Sequence, residues 1–82
     1  MSTPGVRLLL FASAREAAGT RQVDLSGKTV ADILRQARDR FGSGFGEILD
    51  TSRIWVNGDE AGPDRTLAAG DEVAVLPPVS GG

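Results

Sequence analysis

The stretch TVADILRQARDRF, residues 29–41, has the clearest periodicity in the chain. Its apolar residues recur at i, i+3, i+4, i+7 and i+11, which places their side chains on one stripe of an α-helix. These residues are Val30, Ile33, Leu34, Ala37 and Phe41. Thr29 and Asp32 have the spacing of a capping box, with Asp where Glu is preferred. The pattern predicts an amphipathic helix whose apolar stripe must lie against another element.

Two apolar segments near the ends of the chain can provide that surface. VRLLLFA, residues 6–12, is apolar on both faces, which is typical of a central strand. EVAVL, residues 72–76, predicts a last strand, and Pro77 ends it because proline has no N–H to donate. Since these are the most apolar strands, we expect them to be neighbours and to run parallel.

Shorter patterns join these elements. SAREAAGT, residues 13–20, predicts a helical turn that ends at Gly19 in a left-handed cap. RQVDLSG, residues 21–27, alternates apolar and polar residues as a hairpin partner of the first strand should. The glycine-rich residues 42–50 predict an irregular passage with one short helical turn over residues 45–49. The main helix is therefore preceded by a β-β unit and followed by a loop.

Two turns complete the predicted architecture. RIWVNGDE, residues 53–60, reads as a strand that enters a tight turn at Asn57-Gly58. A second turn is expected at Ala69-Gly70, directly before the last strand. The order β-β-α-β-β predicts an α+β fold, a ubiquitin-like β-grasp in which one main helix packs on one face of a mixed sheet and an extended C-terminal tail follows.

Length and composition limit both organisation and function. With 82 residues, the chain has room for one hydrophobic core. We expect a flexible N-terminus over residues 1–5, the β-grasp domain over residues 6–77 and the tail over residues 78–82. The chain has no cysteine and no histidine, which excludes disulfides, thiolate metal sites and the commonest general base. The composition disfavours a conventional enzyme and predicts no metal site and no bound cofactor.

Charge and hydropathy restrict the partners. The net charge is −2 and the isoelectric point is about 4.9. The basic residues are dispersed along the chain, which argues against a nucleic-acid surface. The longest apolar runs are too short for a membrane span, and the polar segment MSTPG differs from the start of a signal peptide. We expect a cytoplasmic protein with no nucleic acid and no membrane among its partners.

The segment PPVSGG, residues 77–82, raises a separate question about function. It can reach at most about 20 Å from the sheet, and its prolines favour an extended exit. Gly81 and Gly82 have no side chain that would obstruct a narrow channel. Adenylation would activate the carboxylate of Gly82, and a sulfur donor would then leave a thiocarboxylate. The alternative is that small residues accumulate at disordered termini without a function.

Three segments of the chain resemble one known family. VRLLLFASAREAAGT, VNGDE and LAAGDEVAVLPPVSGG are similar to the small subunit of molybdopterin synthase, the MoaD family of sulfur carriers. The resemblance covers residues 6–82, and GDEVAVLPPVSGG is its most specific part. A Gly-Gly end also fits the ThiS-like carriers of thiazole synthesis and the ubiquitin-like modifiers, whereas Pro77-Pro78-Val79 favours MoaD.

The resemblance implies a non-catalytic carrier subunit whose chemistry resides in its partners. An E1-like activating enzyme of the MoeB type would use ATP to adenylate Gly82, and a sulfur donor would complete the thiocarboxylate. The tail would enter the pocket of a MoaE-like large subunit and deliver sulfur to a cyclic pyranopterin precursor in molybdenum cofactor biosynthesis. The family assembles as a heterotetramer of two small and two large subunits.

Strand alternation predicts a docking surface independently of the tail. A sheet covered by one helix leaves its other face open, and alternation places three large apolar residues there. The residues predicted to bind the partner, including the exit of the tail, are Phe11, Trp55, Leu76, Pro77, Pro78, Val79 and Ser80. The competing interpretation is that the apolar side chains are buried under a loop or against arginine stems. Asn57-Gly58 is interpreted as a turn rather than a contact.

Other functions stay open on the sequence alone. The chain could carry sulfur for thiazole, cysteine or tRNA thiolation. It could also be a protein modifier joined through Gly82 to lysines of other proteins, with self-conjugated chains limited because Lys28 is its only lysine. The remaining hypothesis is a β-grasp interaction module with an irrelevant tail. Deletion of Gly81-Gly82 would leave only this last function intact.

Overall fold

The structure contains the predicted β-β-α-β-β elements in order and adds an eight-residue helix after the main helix and a fifth strand of two residues. The computed structural model describes residues 3–78, so the predictions for Val79, Ser80, Gly81 and Gly82 lie outside the described residues. The elements are β1 (Gly5–Leu10), α1 (Ala12–Ala18), β2 (Gln22–Ser26), α2 (Val30–Phe41), α3 (Ser43–Asp50), β3 (Arg53–Val56), β4 (Asp59–Glu60) and β5 (Glu72–Leu76). Strand β5 has the predicted bounds, whereas β1 begins and ends earlier than the predicted strand over residues 6–12.

The five strands form one mixed sheet in the order β2-β1-β5-β3-β4. Strands β1 and β5 are parallel neighbours, with Leu8 opposite Val73, and this confirms the expectation for the strands at the two ends of the chain. The other strand pairs are antiparallel. Because β1 and β5 run in the same direction, Phe11 after β1 and Pro77 after β5 lie at the same edge of the sheet.

Helix α2 begins at the predicted capping box. The Thr29 hydroxyl accepts a hydrogen bond from the backbone N–H of Asp32 at 3.3 Å, and the Asp32 carboxylate accepts one from the N–H of Thr29 at 3.2 Å. Its apolar stripe faces the sheet, since Val30, Ile33 and Ala37 are fully buried. The remaining two stripe residues, Leu34 and Phe41, are half-buried against the same core. The prediction for this helix is confirmed.

The core lies between the helices and one face of the sheet. The inward strand residues are completely or almost completely buried: Val6, Leu8, Leu10, Val56, Val73 and Val75. They form one cluster with buried residues of all three helices, among them Ala14 of α1 and Ile33 of α2. Within residues 3–78, no helix is long and apolar enough to cross a membrane.

Helix α3 replaces the predicted irregular passage over residues 42–50. The expectation of a single short turn was wrong, because Phe45 and Leu49 are buried in the core and hold a complete helix despite its glycines. The Phe45 ring lies 5.1 Å from that of Phe41 at the end of α2, measured between centroids. Arg38 of α2 adds a polar link, because its guanidinium donates to the carbonyl of Gly46 at 3.2 Å.

The turns adopt the backbone conformations that their sequences favour. Asn57 and Gly58 have φ values of 50° and 89°, as a tight hairpin turn between β3 and β4 requires. Gly70 precedes β5 with φ of 86°, and Gly19 ends α1 in the left-handed region with φ of 77°. These local predictions are confirmed.

A candidate docking surface on the open face of the sheet

The open face of the sheet carries the alternate residues of the three central strands. Strand register places Leu9 of β1, Ala74 of β5 and Trp55 of β3 side by side in one row. In the next row towards the tail, Leu76 lies opposite Arg53. Alternation along each strand therefore separates this row of apolar residues from the core on the other side.

These residues surround a hollow of about 240 Å³, which we call the open-face hollow. It is lined by Leu9, Phe11, Trp55, Asn57, Gly58, Glu72, Ala74 and Leu76. The structure thus brings the three large apolar residues of the predicted docking surface into one place. Small-molecule sites usually occupy about 300–1,000 Å³. The smaller volume of this hollow suits an inserted side chain of another protein better than a cofactor.

Exposure separates this surface from the core. Phe11 is 44% exposed, more than any other large hydrophobic residue among residues 3–78. Leu9, Trp55 and Leu76 are half-buried. Burial of Phe11 under a loop, the competing interpretation from the sequence, does not occur. A cluster of partly exposed apolar side chains with a charged border is the composition of a protein interface.

Two ion pairs border the open-face hollow. Arg7 and Glu72 pair across β1 and β5 at 3.4 Å, and Arg53 and Glu60 pair between β3 and β4 at the same distance. All four side chains are about half exposed or more, so each pair contributes little to stability. Exposed charges at the rim of an interface act mainly on the rate and specificity of association.

A polar cluster beside the hollow, at the start of β5, was not predicted from the sequence. The Asn57 amide donates to the Asp71 carboxylate at 2.9 Å and accepts from the backbone N–H of Glu72 at 2.9 Å. The other Asp71 oxygen accepts from the N–H of Ala68 at 2.8 Å. The Ala68 N–H, followed by the Asn57 amide, lowers the pKa of Asp71 from its usual value.

This cluster corrects the interpretation of Asn57-Gly58 as a turn alone. Both residues form the turn, but both also line the open-face hollow, and the Asn57 side chain fixes the turn to the start of β5. The sequence gives little sign of it, because Asn57 and Asp71 are 14 positions apart. The Asn-Gly pair does indicate the turn that brings the amide there.

The exit of the tail adjoins this surface. Leu76 and Pro77 are half-buried, and Pro78 is exposed. Leu76 ends β5, and Pro77 and Pro78 follow it at the sheet edge where Phe11 leaves β1. Among residues 3–78, no three acidic side chains converge as metal ligands would. The described residues therefore form a partly exposed apolar surface next to the start of the tail.

A family comparison covers both the docking surface and the tail. The model of the ThiS family matches residues 8–82. The chain belongs to the ThiS family. It is a ubiquitin-like domain of the ThiS/MoaD sulfur carriers with the β-grasp fold, so the resemblance to MoaD is confirmed at the level of the family.

Two relatives of this ThiS-family chain have names that describe different functions. It is 40% identical over 83 residues to small archaeal modifier protein 1 of Haloferax volcanii, with 89% of this chain and 95% of that protein covered. It is also 32% identical over 84 residues to a molybdopterin synthase sulfur carrier subunit of Phaeosphaeria nodorum, with 92% of this chain and 88% of that protein covered. The names of these relatives therefore include both a protein modifier and a sulfur carrier subunit.

Solved structures support the same fold. The solution structure of small archaeal modifier protein 1 from Methanosarcina acetivorans matches with a TM-score of 0.88 at 31% identity, over 100% of both chains. The complex of subunits 1 and 2 of molybdopterin-converting factor from Helicobacter pylori contains a chain with a TM-score of 0.68 at 22% identity, which covers 95% of this chain and 99% of that one. This second likeness is one of fold.

Proposed function

We propose that this ThiS-family chain is the sulfur carrier subunit of a molybdopterin synthase and carries the sulfur on Gly82. The main supporting observation is that the open-face hollow extends to the end of β5 from which the tail leaves, where Leu76 and Phe11 line it. A partner that docks on Phe11 and Leu76 would hold the tail at its root. The family match extends through residue 82, so Gly81-Gly82 belongs to the matched region.

Loading requires two substitution reactions, the first at the α-phosphorus of ATP and the second at the terminal carbonyl carbon of Gly82. In the first, a carboxylate oxygen of Gly82 attacks the α-phosphorus of ATP and pyrophosphate leaves, which forms an acyl adenylate. In the second, hydrosulfide from a sulfur donor attacks the carbonyl carbon and AMP leaves with its electron pair. The product is a thiocarboxylate, and ATP is bound by the E1-like, MoeB-type activating enzyme rather than by the carrier.

The acceptor step would take place on a MoaE-like large subunit. The tail of the carrier would enter its pocket, and the thiocarboxylate sulfur would be transferred to a cyclic pyranopterin precursor. The relative named molybdopterin synthase sulfur carrier subunit supports this choice of acceptor. We propose a heterotetramer of two carriers and two large subunits in the cytoplasm, with Phe11, Trp55, Leu76, Pro77 and Pro78 at the interface.

Reconstitution of the acceptor step tests this choice. The chain is prepared with a Gly82 thiocarboxylate by thiolysis of an intein fusion and mixed with a large subunit and the cyclic pyranopterin precursor. We expect molybdopterin, measured as its fluorescent oxidation product, from the thiocarboxylate form only. The carboxylate form and a chain that lacks Gly81-Gly82 serve as controls. Absence of product, with a large subunit that accepts sulfur from a known carrier, would contradict the proposal.

A second candidate function is protein modification through Gly82. The 40% identity to small archaeal modifier protein 1 favours it. Trypsin would leave a diagnostic mark, because no Lys or Arg follows Arg65 and the remnant on a modified lysine would be residues 66–82. Detection of lysine peptides that carry TLAAGDEVAVLPPVSGG in cells would support modification. Cells that yield free thiocarboxylate without such branched peptides would support the carrier alone.

A further inference from the structure

The junction between β1 and α1 contains a backbone conformation that its residue does not favour. Among residues 3–78, two residues other than glycine have positive φ, Ala12 at 48° and Asn57 at 50°. Asparagine tolerates this region, and the Asn57 amide also forms two hydrogen bonds that hold it. Alanine has no such compensation, because its Cβ is placed too close to the backbone. The strain at Ala12 therefore needs an explanation.

Anchors on both sides of Ala12 impose this conformation. Leu10 is 2% exposed and donates its N–H to the carbonyl of Arg21 at 2.8 Å, which fixes the end of β1. The Phe11 carbonyl accepts hydrogen bonds from the N–H groups of Ala14 and Arg15, at 3.0 and 3.3 Å. Ala14 is fully buried, so α1 is held against the core. Strained residues persist where the surrounding structure determines their conformation in this way.

The residue before Ala12 lines the open-face hollow. Phe11 has an extended backbone, with φ of −122° and ψ of 155°, so the alternation of β1 continues through it. Its side chain therefore stays on the open face with Leu9, although the chain turns into α1 at the next residue. A phenyl ring that is 44% exposed gains little from burial in the free domain.

We propose that Ala12 is a positioning residue whose left-handed backbone holds Phe11 as a fixed wall of the open-face hollow. This inference rests on the proposed function, and it takes the activating enzyme to dock on the same surface as the large subunit. Glycine would adopt the same φ without strain but would also allow other conformations. Alanine therefore restricts the orientation of the Phe11 side chain at the expense of stability. A side chain that is already fixed in the free protein loses less conformational freedom when a partner docks.

Three variants separate positioning from stability. In A12G the strain is removed, so we expect a melting temperature equal to or above that of the wild type, together with a more mobile Phe11 ring. A12N should keep the ring fixed, because Asn tolerates positive φ better than Ala and is less flexible than Gly. The matched control is A17G in the same helix, which should lower the melting temperature by about 2–8 °C and leave Phe11 unchanged. Ring mobility is measured by NMR relaxation on the free protein.

Loading by the activating enzyme provides the functional measurement. With ATP and a MoeB-type enzyme, the carrier concentration is varied and adenylate formation at Gly82 is followed as pyrophosphate release. We expect A12G to raise the KM for the carrier by about threefold to tenfold with kcat unchanged, and A12N to restore the wild-type KM. A17G should have the wild-type KM. A mutation that merely disturbed the fold would not give this pattern.

Each outcome bears on a specific claim. A Phe11 ring that stays as ordered in A12G as in the wild type overturns the positioning role. A KM of A12G equal to that of the wild type also overturns it, provided that the wild-type chain is loaded. If the wild-type chain is not loaded by an enzyme that loads a known carrier, the proposed function fails. The docking part of the inference then fails with it, whereas the NMR result still decides whether Ala12 orders Phe11.

Discussion

Both faces of the sheet carry large apolar residues, yet those on one face are buried in the core and those on the other are partly exposed. Leu8 and Leu9 are neighbours on β1, and Leu8 is fully buried whereas Leu9 is half-buried beside the open-face hollow. Val75 and Leu76 on β5 differ in the same way. Hydrophobicity alone does not distinguish these roles. The face of the sheet on which a residue lies distinguishes them, because helices cover only one face.

The largest effect is expected from a substitution on the face of the sheet that the helices cover. Leu8→Ala removes a fully buried side chain, and such substitutions cost about 2–5 kcal/mol. The total stability of a domain of this size is about 3–5 kcal/mol, so we expect the variant to lose most of its stability. Leu9→Ala is the matched control and should cost about 1 kcal/mol or less. Urea unfolding followed by circular dichroism measures both. Equal losses would contradict the division of the sheet into two faces.

The next effect concerns the open face. Leu76→Glu places a charge beside Phe11, and we expect the domain to stay folded while binding to the large subunit weakens at least about tenfold. The control is Ser26→Glu, which adds the same charge on exposed β2, away from the tail. Titration calorimetry measures binding, and circular dichroism measures folding. Loss of folding in the Leu76 variant would mean that Leu76 belongs to the core and that the faces have been assigned wrongly.

A smaller effect is expected at the polar cluster beside the hollow. Asn57→Gly preserves the turn but removes the hydrogen bonds to Asp71 and Glu72, which should cost about 1 kcal/mol, or about 4–8 °C in melting temperature. Asn57→Ala should cost more, because alanine disfavours the positive φ at this position. Thermal unfolding measures both. If the alanine variant is as stable as the glycine variant, the turn conformation contributes less than the structure indicates.

The smallest effect at neutral pH comes from the titration of two carboxylates. Backbone N–H groups of Lys28 and Thr29 lower the pKa of Asp32 from 3.8, and the N–H of Ala68 with the Asn57 amide lowers that of Asp71. Because the folded-state pKa lies below the unfolded value, both carboxylates stabilise the fold above that value. This stabilisation is lost as the pH falls through the lower, folded-state pKa.

Urea midpoints from pH 7 to pH 2 test this dependence. We expect a constant midpoint above about pH 5 and a decline below about pH 4. The decline should be smaller in D32N and in D71N. D39N, on the outer surface of the helix that Asp32 caps, is the matched control. An equal decline in all four proteins would show that other groups dominate the acid response.

Local patterns predicted much of the fold and of the docking surface. The capping box at Thr29, the turn at Asn57-Gly58 and the bounds of β5 depend on residues that are close in sequence, so their physical causes can be read there. Alternation also placed Phe11, Trp55 and Leu76 on one face, because the period of a strand is fixed by its geometry.

The features that escaped prediction depend on contacts between distant segments. Helix α3 contains two glycines and reads as a loop, but burial of Phe45 and Leu49 outweighs their low helix propensity. The bond between Asn57 and Asp71 joins two turns that only the folded sheet brings together. The strain at Ala12 arises from anchors on both sides of the residue, and an alanine in the sequence does not indicate a positive φ.

Mass spectrometry of the C-terminal peptide tests the central claim, sulfur on Gly82, most directly. The chain is incubated with ATP, a MoeB-type activating enzyme and a sulfur donor, alkylated with iodoacetamide and digested with trypsin. Because the chain has no cysteine, we expect alkylation on the peptide of residues 66–82, and its loss when Gly81-Gly82 is deleted. An unlabelled C-terminal peptide, with an enzyme that labels a known carrier, would contradict the account.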